Sequence, residues 1–224
     1  MNNINKLIVM LTHNDQTVRN AQEVFLECSD LPVENWGFKN VGLPVDKMKS
    51  LVSTMKEAKK KTFLEVVTYT EEDCLKGARL AVDCKFDFLL GTLYYDNVWK
   101  FLKDKSIKYC PFVGKVDGSP GILRGSLESM LDQSRSFAKK GIYGVDLLGY
   151  RYIEGDPGEL SSAYIKTSPI PTILAGSIAS KERIQDVLKM NPEYFTMGSA
   201  LFTKSFVKDG TFRENLVEVC NFLK

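Results

Sequence analysis

The sequence predicts an α/β fold, a single (β/α)8 TIM barrel of near-minimal size that spans residues 1–224. Eight short apolar runs alternate with segments of helical periodicity from one end of the chain to the other. No change of composition marks a linker or a second domain. A doubly wound open sheet is the alternative, but no GxGxxG motif follows the first apolar run.

The eight apolar runs are continuous or nearly so, which is typical of parallel strands that are covered on both faces. Because each run is short and is followed by a segment of helical spacing, we read them as eight successive barrel strands. In chain order, strands one to eight are residues 7–11, 36–41, 63–69, 86–90, 107–113, 142–148, 170–175 and 194–197.

The segments between these runs are predicted helices. Apolar stripes at helical spacing lie within residues 18–28, 45–55 and 216–223. Thr70 and Ser180 each precede a charged segment and are predicted N-caps. The helix after strand four is predicted to be short, and the helix after strand six is only weakly marked.

Composition narrows the class of protein. An apolar content of 44% with 26% charged residues is typical of a soluble globular protein, and a net charge of +2 without basic–aromatic stretches argues against a nucleic-acid partner. No apolar stretch reaches membrane-spanning length, and LIVML is too short for a signal-peptide core. Five scattered cysteines without CxxC spacing favour reduced thiols and a cytoplasmic location.

Two connections are longer than the usual few residues. Residues 114–126 follow strand five and residues 149–160 follow strand six; both are rich in glycine and carry charges. In a barrel they would lie at the C-terminal face, where barrel enzymes have their active sites. We therefore expect a functional loop or a lid, with a surface loop of no functional role as the alternative.

The strongest functional signal is a Gly-Ser pair at the end of each of the last two strands. The candidate phosphate-binding residues are Gly176, Ser177 and Ile178 at the first pair and Gly198, Ser199 and Ala200 at the second. Glycine lets the backbone approach a ligand closely, so that successive N–H groups can converge on an anion, and SALF can begin a short helix. The pattern predicts a phosphate site; tight turns with nothing bound are the alternative.

These segments also carry a resemblance. AGSIASKERI and FTMGSALF resemble the paired AGGI and GSA segments of the ribulose-phosphate-binding barrels, over residues 172–202. That superfamily includes phosphoribosyl isomerases and N-acetylmannosamine-6-phosphate epimerase. The resemblance implies a small phosphorylated sugar or sugar acid as substrate, and isomerase or epimerase chemistry in carbohydrate metabolism.

A narrower resemblance rests on MLTHND, GFKNVGLP, FLEVVTYT and GVDLLGYRY. These segments resemble a set of small bacterial barrels, some of which are called 4-hydroxythreonine-4-phosphate dehydrogenase. The dehydrogenase of that name is a larger metal enzyme that uses several histidines, whereas this chain has one. We therefore predict no metal and no redox cofactor.

Charged residues within apolar strands are the candidate catalytic groups, because a buried charge needs a partner or a polar pocket. Glu65 shares one face of strand three with Phe63, and Lys39 on strand two is its expected partner. A Lys–Glu pair beneath a phosphate suits proton abstraction next to a carbonyl; a structural bridge is the alternative. Asp146 on strand six is a candidate for a second acid or a metal ligand; alternatively, it forms a hydrogen bond that closes the barrel.

Other polar residues are secondary candidates. Lys115, at the top of strand five, and Arg151 are predicted to reach the phosphate, with Arg124 as a further option or as a surface residue. His13 either shuttles protons at the mouth or is structural. Asn14 and Asp15 are predicted to cap the first helix.

The favoured function is isomerisation or epimerisation of a small phosphorylated sugar or sugar acid. One alternative is an imine-forming aldolase or decarboxylase, which would use Lys39 or Lys115. Another is a sensor barrel that binds a phosphorylated metabolite without turnover. Small barrels often dimerise, so a homodimer is expected by analogy.

Overall fold

The computed structural model describes residues 3–224 and shows eight parallel strands around a nearly closed barrel, which confirms the predicted fold. Adjacent strands follow one another along the chain, in the order β6-β7-β8-β1-β2-β3-β4-β5. Their bounds are β1 Leu7–Met10, β2 Asn35–Lys39, β3 Lys61–Val66, β4 Phe88–Gly91, β5 Lys108–Cys110, β6 Val145–Leu147, β7 Thr172–Leu174 and β8 Tyr194–Met197.

The barrel closes between β5 and β6 through backbone contacts beyond the end of β5. Phe112 and Asp146 form a parallel bridge. The N–H of Asp146 donates to the carbonyl of Pro111 at 2.9 Å. The closing hydrogen bond therefore belongs to the backbone of Asp146, which leaves its carboxyl group free for another role.

Helices follow the strands as predicted. They are α1 Ala21–Cys28, α2 Val45–Glu57, α3 Glu71–Asp83, α4 Asp96–Leu102, α5 Leu127–Lys140, α6 Pro157–Thr167, α7 Lys181–Met190, α8 Ser199–Phe202 and α9 Phe212–Leu223. The side chains of Thr70 and Ser180 accept hydrogen bonds from the third residues of α3 and α7, which confirms both N-caps. Within residues 3–224, no helix is both long and apolar enough to cross a bilayer.

Apolar side chains fill the lower part of the barrel. The interior cluster contains Ile8, Met10, Phe63, Phe88, Leu90, Cys110 and Ile173. The rings of Phe63 and Phe88 stack with their centroids 4.3 Å apart. Since side chains two residues apart on a strand share a face, Glu65 lies one layer above Phe63, toward the C-terminal mouth. Within the barrel interior formed by the described residues, this packed floor directs a ligand to the mouth above it.

The connection after β5 forms an antiparallel hairpin, with strands Lys115–Asp117 and Ile122–Arg124. Its tip reaches loops that follow other strands: the hydroxyl of Tyr69 donates to the carbonyl of Gly118 at 2.7 Å. The hydroxyl of Ser119 donates to the carboxylate of Asp15 at 3.3 Å. We call residues 115–124 the mouth hairpin.

Candidate functional site

A cavity of about 290 Å³ opens at the C-terminal mouth of the barrel. Residues 175–179 and 196–200 form one wall, and Lys39, Glu65 and Arg151 lie among the residues of the other. The predicted catalytic and phosphate-binding residues line this cavity except Asp146 and Lys115, and the secondary candidates Arg124 and His13 do not line it. The ends of β7 and β8 and the charged ends of β2 and β3 therefore face one shared space, as expected for parallel strands of one barrel.

The two Gly-Ser corners have free backbone donors. Among the described residues, the N–H groups of residues 176–178 and 198–200 donate no hydrogen bond to a protein acceptor. Ser199 and Ala200 are the first residues of α8, so their N–H groups have no acceptor within the helix. Six donors are thus available to an anion in the cavity.

Backbone geometry explains the glycines. Gly176 and Ser177 have positive φ angles of 97° and 48°, a conformation that turns successive N–H groups toward one side. A Cβ at Gly198 would lie 2.9 Å from the hydroxyl of Thr12 and 3.0 Å from the carbonyl of Met10. Close packing of the β8 corner against the end of β1 therefore requires glycine at position 198.

A charged cluster lies below these corners. Lys39 and Glu65 are register partners on β2 and β3, and Lys39 Nζ lies 3.8 Å from Glu65 Oε1, as the sequence predicts. A closer contact joins Lys39 Nζ to Asp15 Oδ1, at 2.6 Å. The exposed fractions of the three side chains are 8% for Lys39, 13% for Glu65 and 21% for Asp15. One largely desolvated ammonium thus pairs with two carboxylates.

The prediction that Asn14 and Asp15 cap the first helix is wrong. Helix α1 begins at Ala21, and residue 20 occupies its N-cap position. Asn14 and Asp15 instead form the tight turn of a small hairpin, with φ angles of 48° and 62°. Thr17, in that hairpin, exchanges hydrogen bonds of 2.8 and 3.0 Å with the backbone of Lys39. An Asn-Asp pair directly after a strand is the turn signal that could have revealed this arrangement.

The pKa of Asp15 reflects its new partner. Burial alone would raise this pKa, but the hydrogen bond from Lys39 and the charges of Lys39 and Arg151 outweigh burial and lower it. Asp15 is therefore an ionised partner of Lys39 under ordinary conditions. It is the functional candidate that sequence reasoning missed.

Asp146 is fully buried and does not line the cavity. Within the part of the chain that the structure describes, neither of its carboxylate oxygens has a partner at hydrogen-bond distance and angle, although the backbone of Gly91 lies near enough to oppose part of the rise in its pKa. Burial raises the pKa of Asp146 well above its usual value; the charge of Glu65 raises it further, while Lys39 and Arg151 oppose the shift. The group thus keeps its proton over a range of pH in which an exposed aspartate is ionised.

Arg151 and Lys115 have different positions. Arg151 is half-buried in the cavity wall, where a Cβ on Gly176 would lie 3.0 Å from its Cγ. Lys115 is exposed on the mouth hairpin, and the structure does not bring it to the cavity. Arg124, on the same hairpin, pairs with Asp117 at 2.8 Å. Neither of the predicted charges on this hairpin therefore lines the cavity.

Two further residues help to define the site. Arg183, in the first turn of α7, donates to the carbonyl of Ser177, and its guanidinium lies 4.5 Å from the centroid of the Tyr150 ring. These contacts hold the β7 corner in place. His13 does not line the cavity; its ring centroid lies 5.7 Å from that of Phe202.

The sequence matches no protein-family model and no curated protein. Among solved structures, the chain is similar to orotidine 5'-phosphate decarboxylase from Pyrococcus horikoshii OT3, with a TM-score of 0.70 and 12% identity over 97% of this chain and 98% of that one. It is also similar to N-acetylmannosamine-6-phosphate 2-epimerase from Clostridium perfringens, with a TM-score of 0.64 and 13% identity over 90% and 91%.

A third similar structure is a glycerol uptake operon antiterminator regulatory protein from Listeria monocytogenes, with a TM-score of 0.58 and 18% identity over 87% of this chain and 91% of that one. At these identities the likeness establishes the fold. The chain is a (β/α)8 barrel whose structural neighbours include enzymes named for phosphorylated substrates.

Proposed function

We propose that this protein binds a small phosphorylated sugar or sugar acid and isomerises or epimerises it by proton abstraction next to a carbonyl. One observation carries the proposal. A single cavity brings six unpaired backbone N–H groups together with a desolvated Lys39–Glu65 pair. The first group suits an anion, and the second suits acid–base chemistry at the carbon chain attached to that anion.

The phosphate binds between residues 176–178 and 198–200. Backbone N–H groups that converge from two turns bind phosphate without a compensating side chain, because their partial charges are fixed in place. The hydroxyl groups of Ser177 and Ser199, both solvent-exposed, supply further donors at the same corners. A phosphate held there directs the rest of the ligand toward Lys39 and Glu65.

In the chemical step, the carboxylate of Glu65 takes the proton from the carbon next to the carbonyl. The electron pair of the broken C–H bond moves onto the carbonyl oxygen, and the ammonium of Lys39 stabilises the resulting enolate. Protonation of the same carbon from the other face, by a water molecule that enters the cavity, gives an epimer, and Glu65 then loses its proton to solvent. Return of the proton from Glu65 to the former carbonyl carbon, with transfer of a hydroxyl proton to the former carbonyl oxygen, gives an isomer. Asp15 holds the Lys39 side chain in place through their 2.6 Å contact, and the protonated Asp146 limits the negative charge near Glu65.

Carbon–carbon cleavage through an imine is a less suitable reaction. Imine formation needs a neutral amine, whereas Lys39 pairs with carboxylates at 2.6 and 3.8 Å. Lys115, the other candidate, does not line the cavity. Borohydride in the presence of pyruvate or a triose phosphate should therefore leave the mass of the protein unchanged, and a stable adduct would favour the aldolase.

A sensor barrel is the second candidate function, supported by the similarity to an antiterminator regulatory protein. Such a protein needs the phosphate site but no proton-transfer pair beneath it. Exchange of substrate protons for deuterium distinguishes the two functions, because it detects proton abstraction without knowledge of the product.

The test incubates the protein in D2O with a panel of phosphorylated aldoses, ketoses and sugar acids, and follows loss of C–H signals by proton NMR. We expect exchange with the unsubstituted protein and none with Glu65→Gln, which should retain phosphosugar affinity. Glu34→Gln is the matched control, because Glu34 pairs with Lys61 at the opposite ends of the same two strands. Binding without exchange across the whole panel would instead favour the sensor.

A further inference from the structure

Arg151 differs from the other cationic side chain of the cavity. Only Lys39 and Arg151 are cationic among the described residues that line it, and Lys39 has two carboxylate partners. Within residues 3–224, no carboxylate lies within 4.0 Å of the Arg151 guanidinium, and its single side-chain hydrogen bond is a long one, 3.3 Å to the carbonyl of Gly121. Most of its five donors are therefore available.

Elsewhere in this chain, three of the other six arginines pair with carboxylates even where water surrounds them. The guanidinium groups of Arg124, Arg135 and Arg213 each lie 2.6–2.9 Å from a carboxylate oxygen. Arg151 is half-buried and has no carboxylate in contact, and the charge of Asp15 acts on it only from farther away, so part of the cost of removing its charge from water stays uncompensated. A planar guanidinium in this state is suited to a carboxylate or a phosphate group that arrives with a ligand.

Arg151 also lines a second cavity, which we call the outer cavity; the cavity at the barrel mouth described above is the inner cavity. It measures about 410 Å³ and is lined by Asn14, Asp15, Ser119, Pro120, Arg151 and Ser199. Asp15, Arg151 and Ser199 also line the inner cavity, so the two spaces adjoin. A ligand whose phosphate occupies the backbone corners can therefore extend past Ser199 into the outer cavity, beneath the tip of the mouth hairpin.

We propose that the outer cavity is a second anion subsite, in which the Arg151 guanidinium binds a carboxylate or a second phosphate of the ligand. The substrate class is then doubly anionic: a phosphorylated sugar acid or a sugar bisphosphate. This inference rests on the proposed function, because it takes the first phosphate to be held by residues 176–178 and 198–200. The six unpaired backbone donors suffice for that first phosphate, and this leaves Arg151 for another group.

The test compares ligands that differ in one charged group, by calorimetry. Glycerol 3-phosphate and 3-phosphoglycerate differ by a carboxylate, and fructose 6-phosphate and fructose 1,6-bisphosphate differ by a phosphate. We expect the doubly anionic member of at least one pair to bind about 10-fold more tightly or better, as charge-assisted hydrogen bonds allow. The pair that shows this preference identifies the second group as a carboxylate or a phosphate.

Arg151→Met should abolish that preference and leave the affinity for inorganic phosphate within about 3-fold, since a charge-assisted contact is lost only from the second group. Methionine keeps the apolar stem that packs beside Gly176. Arg124→Met, on the mouth hairpin and outside both cavities, is the matched control and should keep the preference. Thermal unfolding of both variants verifies that they fold.

Two results would overturn the inference alone: equal affinity within both ligand pairs, or an Arg151→Met variant that weakens inorganic phosphate as much as the doubly anionic ligands. The second result would assign Arg151 to the first phosphate. If neither inorganic phosphate nor any of the four esters binds the unsubstituted protein, the proposed function fails and the inference fails with it.

Discussion

Replacement of Lys39 by methionine tests the charged cluster most directly. The substitution leaves Asp15 and Glu65, with side chains 21% and 13% exposed, without their shared cation. Removal of one partner from a buried ion pair costs about 3–5 kcal/mol, because the remaining charge stays desolvated. Since Asp15 still reaches solvent, we expect the lower end, about 3 kcal/mol.

The same two strands supply the control. Lys61 and Glu34 pair at 3.5 Å, with both side chains 51% exposed. Exposed pairs contribute about 0–1 kcal/mol, so Lys61→Met should be nearly neutral. For a chain of this length, 1 kcal/mol corresponds to roughly 2–4 °C in Tm. Lys39→Met should therefore lower Tm by about 6–12 °C and Lys61→Met by at most about 4 °C.

The loss of stability in the Lys39→Met variant should also depend on pH. The folded pKa of Asp15 is lowered by Lys39, so the stabilisation is present above the unfolded pKa and is lost as pH falls through the folded pKa. The Lys39→Met variant lacks this contribution, so its deficit should stay constant between about pH 7.5 and about pH 4 and shrink as the pH of the melt falls further, through the lowered pKa of Asp15. Circular dichroism melts across both pH ranges provide the measurement. A Lys39→Met variant as stable as Lys61→Met, or a deficit that grows on acidification, would refute the reasoning.

Three further predictions concern the corners and Asp146. Ser199→Asp places a carboxylate at the phosphate site on an exposed first residue of α8; phosphate binding measured by calorimetry should disappear with Tm unchanged, whereas Ser126→Asp, at the N-cap of α5, should bind normally. Gly198→Val should lower Tm, because a Cβ there meets backbone and side-chain atoms at 2.9–3.0 Å; an unchanged melt would contradict that packing. Since burial raises the folded pKa of Asp146, its effect on stability becomes more unfavourable as pH rises above the unfolded pKa, so Asp146→Asn should gain stability relative to the unsubstituted protein over that range, as paired melts at several pH values would reveal.

The fold was readable from the sequence because burial on both faces imposes continuous apolar runs on barrel strands. Strand eight matches its predicted bounds, Tyr194–Met197. Most other runs extend past the ladder: residues 107–113 were predicted, whereas β5 is Lys108–Cys110. Many of the excess residues are still buried outside the hydrogen-bonded ladder, for example Val113, whereas Val41 is 43% exposed. Hydrophobicity reports burial, and it does not report where pairing stops.

The site was partly predictable for a related reason. In neighbouring parallel strands, the position of a residue along its strand determines which residue lies beside it. Lys39 and Glu65 could therefore be expected to meet. Asp15 could not be placed in this way, because its position depends on a tight turn and on the contact of Thr17 with β2. Lys115 lies outside the cavity because the connection after β5 folds back as a hairpin. Loop paths depend on contacts between distant segments, which spacing along the chain does not encode.

The sequence by itself determined the barrel, the order of its strands, and the two glycine-serine corners at the ends of β7 and β8. The spacing of apolar residues and the alternation of side chains along a strand are local properties, so they can be read directly from the order of residues. Only the tertiary structure decided which charges share the cavity: Asp15 joins Lys39, Asp146 is buried beside them with no partner at hydrogen-bond distance and angle among the described residues, and Arg151 has no carboxylate partner there. Those facts depend on desolvation and on distances across loops, and both arise only when the barrel closes.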